Sequence, residues 1–289
     1  MDKRGILLVV HPTRPGAAKT AEELIIEGGK DFKFFIFSDL DLASAEKLNS
    51  EADLARVIEE IEIAVVLGGD GTILRAAELL YPHNIPILGV NLGHVGFLAQ
   101  INRPSITELL EKIRERDFSR EKRLLVQYQV ERSGKVISSG FALNEVVIES
   151  SKPEMVQLFV QVDERPLSRW GCDGVLISTP TGSTAYAFSA GGPVIWPEVK
   201  ALVLLPLAAH ALFSRPMVIG PESKVAIDVE SESAVLSADG LRRLQLVEND
   251  RVTLSVDESA IYLAHIDGSL FADRIVAKFQ LPVEGWRGR

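Results

Sequence analysis

Up to residue 120 the apolar positions fall in short continuous runs, separated by stretches of helical spacing. Residues 6–10 (Ile-Leu-Leu-Val-Val) form the first run, Pro12 follows, and residues 17–26 take up helical spacing. Residues 32–37 are strand-like again, and residues 45–61, rich in helix formers, predict a helix. Residues 63–67 (Ile-Ala-Val-Val-Leu) are uninterruptedly apolar, as in a strand covered on both faces. The pattern then predicts a helix over 72–80, a strand over 85–90 and a helix over 105–116. Strands separated by helices make βαβ units and a mostly parallel sheet.

Beyond Arg123 the period changes from that of helices to that of half-buried strands. Val126, Tyr128 and Val130 alternate with Gln127, Gln129 and Glu131, and Val156, Leu158, Val160 and Val162 alternate with Gln157, Phe159, Gln161 and Asp163. The same period of two recurs in Val225, Ile227 and Val229, and in Val252, Leu254 and Val256. The expected architecture is α/β plus all-β, with an α/β domain over 1–123 and an all-β domain over 124–266. Residues 267–277 read as one last helix or strand. No internal repeat or low-complexity linker interrupts the chain.

Composition narrows the function classes. The 289 residues are 46% apolar and 25% charged, enough for a sizeable core and enough length for two domains. No apolar run reaches the roughly 18 residues that a membrane span needs. Residues 6–10 are too short for a signal-peptide core and lack a small-residue cleavage site, so a cytoplasmic location is expected. A net charge of −9 argues against a nucleic-acid partner, whose footprint is basic. Cys172 is the single cysteine, so no intrachain disulfide forms. The five histidines show no metal-ligand spacing; His94, between two glycines, is the one placed near candidate chemistry.

The first chemical signal is Gly68-Gly69-Asp70-Gly71-Thr72, directly after the buried run and before a helix. Ligands of open α/β sheets bind beyond the carboxyl ends of the strands, where this turn falls. Glycines let backbone approach a phosphate, and the helix start offers unpaired N–H groups. Thr72 is read as the helix cap, and Arg75, one turn on, as a cation for the same phosphate. Asp70 would repel a phosphate unless a metal or hydroxyl lies between them, and both cases fit phosphoryl transfer, in which an aspartate takes the proton of the attacking hydroxyl. Against this stands a plain strand-to-helix turn whose aspartate caps the helix; the doubled glycine and the buried strand favour function. The turn is neither G-x-G-x-x-G, since Leu74 stands at the third glycine position, nor a Walker A loop, since no Gly-Lys-Ser/Thr occurs.

A second signal runs from Gly171-Cys172-Asp173-Gly174 through Ser178-Thr179-Pro180-Thr181-Gly182-Ser183-Thr184-Ala185-Tyr186 to Ser189-Ala190-Gly191-Gly192. Hydroxyls and bare backbone in one loop can bond a ribose, phosphate or amide, and Tyr186 adds an aromatic face. The plain alternative is a turn whose hydroxyls satisfy their own backbone. Asn144-Glu145, at the start of another apolar run, can bind two vicinal ribose hydroxyls or an exocyclic amine and a ring nitrogen, but by itself the dipeptide reads better as a simple loop.

Together these segments resemble the NAD kinase family. Gly68 to Thr72 is similar to its glycine signature, Asn144-Glu145 to its Asn-Glu/Asp motif, and Asp173 to Gly192 to its hydroxyl-rich loop. Asn91 to Leu98 is similar to the segment after its fourth strand, and the order matches over roughly 60–270. The resemblance implies a phosphofructokinase-like α/β domain, a C-terminal β-sandwich, and a segment 267–289 packing back on the first domain. It implies transfer of a phosphoryl group from ATP, other nucleotides or polyphosphate to the adenosine 2′-hydroxyl of NAD, with a divalent metal, Mg2+; no residue is assigned as a metal ligand. It places NAD in an interdomain cleft of a homodimer or homotetramer. Asp70 becomes the proton acceptor; Gly71, Thr72 and Arg75 line the phosphates; Phe97 leans on the base; Asn144 and Glu145 hold ribose or adenine; Asp173 binds the nicotinamide end. Thr184, Ala185, Tyr186 and Ser189 form the adenine pocket, with Ala187 and Phe188 counted among the binding residues. Gly171, where relatives carry a basic residue, and Leu241, where they carry glutamine after Asp-Gly, depart from the pattern. A lipid kinase sharing the glycine signature and a catalytically silent NAD sensor are the alternatives.

Overall fold

The computed structural model describes residues 3–38, 40, 42–93, 96–99, 105–266 and 268–283. The chain divides into two compact units, one built from Met1–Lys122 with Ile261–Arg289 and the other from Arg123–Ala260.

The first unit is a parallel sheet with helices. It runs β1 (Arg4–Val10), α1 (Ala17–Gly28), β2 (Phe32–Phe37), β3 (Ala45–Lys47), α2 (Glu51–Val57), β4 (Ile61–Gly68), α3 (Asp70–Leu80), β5 (Ile87–Asn91) and α4 (Ile106–Glu115). The strand order is β3-β2-β1-β4-β5, every pairing parallel. β4 is buried along almost its whole length, which explains its unbroken apolar sequence. Leu24, Ile25, Leu109, Leu110 and Ile113 from α1 and α4 join Ile6, Leu8, Ile63, Val65 and Leu88 from the strands in one core. α3 buries Ile73, Ala76, Ala77 and Leu80.

The single helix expected over 45–61 is not formed. Residues 45–47 pair with β2 instead, and Ser50 starts α2 by accepting the amide N–H of Asp53. Capping at Ser50 and pairing at 45–47 both outweigh helix propensity, which is a weak prior. The final stretch resolves as a helix.

The second unit is antiparallel. Its strands are β6 (Ser119–Arg132, from residue 123), β7 (Lys135–Ala142), β8 (Glu145–Ser150), β9 (Val156–Val162), β10 (Arg165–Cys172), β11 (Gly174–Ser178), β12 (Leu202–Leu207), β13 (Met217–Ile219), β14 (Val225–Val229), β15 (Ser233–Ala238), β16 (Arg242–Val247) and β17 (Arg251–His265). One sheet has the order β13-β12-β11-β8-β15-β16; the other contains β10-β9-β14-β17 with β6 and β7. β17 serves both units: its first part pairs with β14, while Leu263 pairs with Ile87 of β5 in the first unit. The alternating residues point inward as their period requires, and Val126, Leu158, Val160, Trp170, Ile148, Val175, Leu204 and Leu236 from the two sheets share a core. The only helical pieces among the described residues of this unit are the turn Gly182–Thr184 and α5 (Tyr186–Ser189). α6 (Phe271–Phe279) follows β17 in the first unit.

Candidate active site

The order β3-β2-β1-β4-β5 reverses direction between β1 and β4, and the crevice beyond their carboxyl ends is where such sheets bind ligands. The glycine turn lies there. Gly69 is the N-cap of α3, extended at φ −115°, with no side-chain cap, and Asp70 is the first helical residue. Thr72 is therefore not the cap, contrary to expectation. It sits in the first turn, donates its N–H to Gly69 C=O at 2.9 Å, and buries its side chain against Gly68. Gly68 has to be glycine, because a methyl there would lie 2.7 Å from Thr72 Cβ. Gly71 faces open space and Arg75 is exposed without a polar partner among the described residues.

Asp70 is oriented from a distant segment. Phe97 N–H donates to its Oδ2 at 2.9 Å and Leu98 N–H to its Oδ1 at 3.2 Å. Gly96 makes this clasp possible: a methyl there would come within 2.6 Å of both Cγ and Oδ2 of Asp70. Phe97 itself is buried, its ring 6.2 Å from Phe271 and 5.7 Å from Phe279 of α6. Its C=O accepts from Nη1 of the buried Arg274 at 2.9 Å, and Arg274 Nη2 is bonded to the ring of His265, which contacts Glu121 at 2.7 Å. Phe97 thus meets Asp70 through its backbone. His94 and Val95 of the same segment lie outside the described residues, as do 267 and 284–289 of the final segment.

In the second unit the Asn144-Glu145 corner is organised by Asp239. Its carboxylate accepts the N–H groups of Leu143, Asn144 and Glu145 at 2.8, 2.7 and 3.2 Å. Sequence reasoning met Asp239 only beside the unusual Leu241; its signal was the Asp-Gly turn, where φ is +52° at Asp239 and +67° at Gly240. Glu145 is buried, and its Oε2 has no hydrogen-bond partner. Burial first and the Asp239 charge second push its carboxyl up to about 8, against the opposing N–H of Tyr186. The Asn144 amide side chain has no partner among the described residues.

The hydroxyl-rich loop largely satisfies itself. Thr179 bonds Leu143 C=O, Ser178 bonds Thr179 C=O, Ser183 bonds Pro180 C=O and Ile195 N–H, and Thr184 bonds Thr181 C=O. Buried Arg123 donates to Thr181 Oγ1 at 3.3 Å. These bonds fix the backbone and leave Tyr186, Phe188 and Ser189 exposed, Thr184 and Ala185 half-buried, and Ala187 in the core. Gly182 is needed for the close approach of loop and corner, since a methyl there would lie 2.6 Å from Ser178 Oγ. Asp173 is exposed at the bend between β10 and β11; its N–H donates to Leu207 C=O. The structure therefore gathers Asp70, Gly71, Thr72, Arg75 and the Phe97 backbone in one unit. It gathers Asn144, Glu145 and residues 184–189 in the other.

Among the described residues no three His, Cys, Asp or Glu side chains converge on a metal position. Asp70 is the carboxylate at the turn.

Fold and turn define the class: an α/β unit with an anion-receptive turn at its switch point, followed by a β-sandwich. Residues 6–118 match the ATP-NAD kinase N-terminal domain and residues 143–266 the ATP-NAD kinase C-terminal domain. The NAD kinase of Cutibacterium acnes is 44% identical, with 98% of this chain and 92% of that protein covered. The NAD kinase of Thermobifida fusca is 42% identical, with 99% and 92% covered. An NAD kinase from Archaeoglobus fulgidus in complex with ATP superposes with a TM-score of 0.72 at 27% identity, covering 96% of this chain and all of that one. Yeast NADH kinase complexed with NADH shares the fold, with a TM-score of 0.88 at 21% identity over 99% of this chain and 90% of that chain. The chain belongs to the ATP-NAD kinase family.

Proposed function

We infer that this chain phosphorylates NAD to NADP with ATP as donor. The observation that carries the reading is a family match spanning both units, together with a carboxylate held at the switch point by two backbone amides. In the reaction the adenosine 2′-oxygen forms a bond to the γ-phosphorus, the bond from that phosphorus to the ADP oxygen breaks, and the hydroxyl proton goes to Asp70. Each Asp70 oxygen accepts one amide bond and keeps a lone pair for that proton. Phosphoryl transfer asks little covalent chemistry of the protein, so orientation of the hydroxyl is the main contribution.

Gly71 and Arg75 face solvent at the start of α3 and are the residues we place along the phosphates, with Thr72 supporting them from within. A Mg2+ ion bound with the donor would offset charge on the β- and γ-oxygens, with Asp70 as its candidate protein contact. Asn144, with its free amide, and Glu145, with an unpartnered buried oxygen, are placed against the adenosine. A carboxyl that titrates at about 8 is mostly protonated at neutral pH and can donate as well as accept. Thr184, Ala185, Tyr186, Phe188 and Ser189 are placed around the adenine, with Ala187 anchoring them from the core. Phe97 acts through its N–H, and Asp173 is placed at the nicotinamide end. A homodimer or homotetramer and a cytoplasmic location complete the proposal, and light scattering of the purified protein tests the first.

The deciding experiment incubates the protein with NAD, ATP and Mg2+ and reads NADP with an NADP-specific dehydrogenase. NADP is expected from the wild type, and Asp70→Asn is expected to be slower by about 10²–10⁴-fold. An Asp70→Asn variant as fast as wild type would remove Asp70 as proton acceptor. A wild type that binds NAD without turning it over would restore the silent sensor.

A further inference from the structure

We propose that Arg14 grips the phosphate chain of the donor, an assignment that rests on the NAD kinase reading above. No lysine of Walker type is present, and Arg75, the cation that the sequence offers, is exposed on α3. The chain leaving β1 passes beside the turn that leaves β4, tied to it by His11 N–H donating to Leu67 C=O at 3.1 Å. Arg14 lies on this departing segment, at the switch point itself.

Its head group is held between two glycine backbones. A methyl on Gly69 would lie 2.8 Å from Arg14 Nη1, and one on Gly93 would lie 3.0 Å from Arg14 Cζ and overlap Nη2. Both positions must lack a side chain for the guanidinium to rest there. Yet the guanidinium, half-buried, has no hydrogen-bond or ion-pair partner among the described residues. The acid of the turn forms no hydrogen bond or ion pair with it; the Asp70 oxygens accept from the amides of Phe97 and Leu98. A positioned, partly desolvated and unpaired guanidinium is a site for an anion, and its planar fork matches phosphate oxygens two at a time.

Phosphate could come from the donor triphosphate or from the diphosphate of NAD. The donor is favoured because its γ-phosphorus must reach a hydroxyl at Asp70, so its chain has to pass this turn. Apart from Asp70, which meets the 2′-hydroxyl, the groups placed on NAD belong to the second unit.

The test measures KM for ATP and for NAD in Arg14→Ala, Arg14→Lys and Gly93→Ala. Losing a bidentate charged contact is expected to raise KM for ATP about 10–100-fold in Arg14→Ala while leaving KM for NAD nearly unchanged. Arg14→Lys should recover part of the loss, and Gly93→Ala, which displaces an intact arginine, should reproduce it. A rise in KM for NAD alone would transfer Arg14 to the other substrate and overturn the assignment; no change in either would overturn it as well. Calorimetric binding of inorganic tripolyphosphate to wild type and to Arg14→Ala separates this inference from the activity. If wild type makes no NADP, weaker tripolyphosphate binding by the variant still supports Arg14, and equal binding defeats it. Thermal unfolding confirms that each variant is folded, and Arg14→Gln replaces any that is not.

Discussion

Gly96→Ala isolates the orientation of Asp70 from its chemistry. The Gly96 backbone is not in the left-handed region, so the substitution brings no backbone strain. Its whole effect comes from contact: the new methyl would lie 2.6 Å from Cγ and from Oδ2 of Asp70. Non-bonded carbon atoms rest at about 3.5–4.0 Å, so the two groups must separate by roughly 1 Å. The carboxylate cannot withdraw freely, because its two amide donors, Phe97 and Leu98, directly follow the residue that pushes it. Separation therefore breaks or lengthens at least one of those bonds. A displacement of about 1 Å at a reacting group costs on the order of 100-fold in rate, or about 2.7 kcal/mol of barrier. A lost charge-assisted bond costs about 1.5–3 kcal/mol of stability, offset by about 0.4–1 kcal/mol from the stiffer unfolded chain. Steady-state assays by NADP-specific dehydrogenase should show kcat down about 100-fold with both KM values close to wild type. Urea unfolding should show a loss of about 1–2 kcal/mol. A variant with wild-type kcat and stability would refute the reasoning, because the turn would then have relaxed without moving the carboxylate.

Two further outcomes follow from the same geometry. Glu145 titrates near 4.5 unfolded and at about 8 folded, so the native state holds the extra proton between these values. Its contribution to stability is therefore intact at low pH and lost as pH rises through about 8. Glu145→Gln, which mimics the protonated form, should gain in unfolding midpoint relative to wild type between about pH 5 and pH 9; a difference independent of pH would contradict the buried, raised carboxyl. Gly71→Ala adds a methyl into open space in the first turn of α3 and should stabilise the fold by about 0.4–1 kcal/mol. The same methyl should obstruct a phosphate approaching the backbone, raising KM for ATP about tenfold or more. A stabilised variant with unchanged KM would move the phosphate away from Gly71.

Much of this protein was legible in one dimension. Parallel strands covered on both faces read as unbroken apolar runs, and sandwich strands as alternation, so the change of period near residue 123 separates the two kinds of sheet. The glycine turn was legible because a buried strand preceded it and helical spacing followed. Local misreadings arose where two local signals competed, as at 45–61, where Ser50 and the pairing with β2 divide an apparent helix. Residue type alone suggests Thr72 as the cap, whereas Gly69 adopts the extended conformation that starts α3.

What only the tertiary structure decided has one physical cause: contacts between residues far apart in the chain leave no periodic trace. Asp70 is clasped by amides 27 and 28 residues away, and the turn carrying the first of them is held by Arg274, 177 residues beyond Phe97. The amides of Asn144 and Glu145 are gathered by Asp239, 95 and 94 residues on. The hydroxyls that drew attention in the sequence mostly serve their own loop, and exposed Tyr186, Phe188 and Ser189 are what that loop presents. Arg14 lay in an unremarked segment after the first strand; only the adjacency of β1 and β4 sets it on the glycine turn. Hydrophobic pattern determines which elements form, but strand order determines which loops meet, and the chemistry lies where the loops meet.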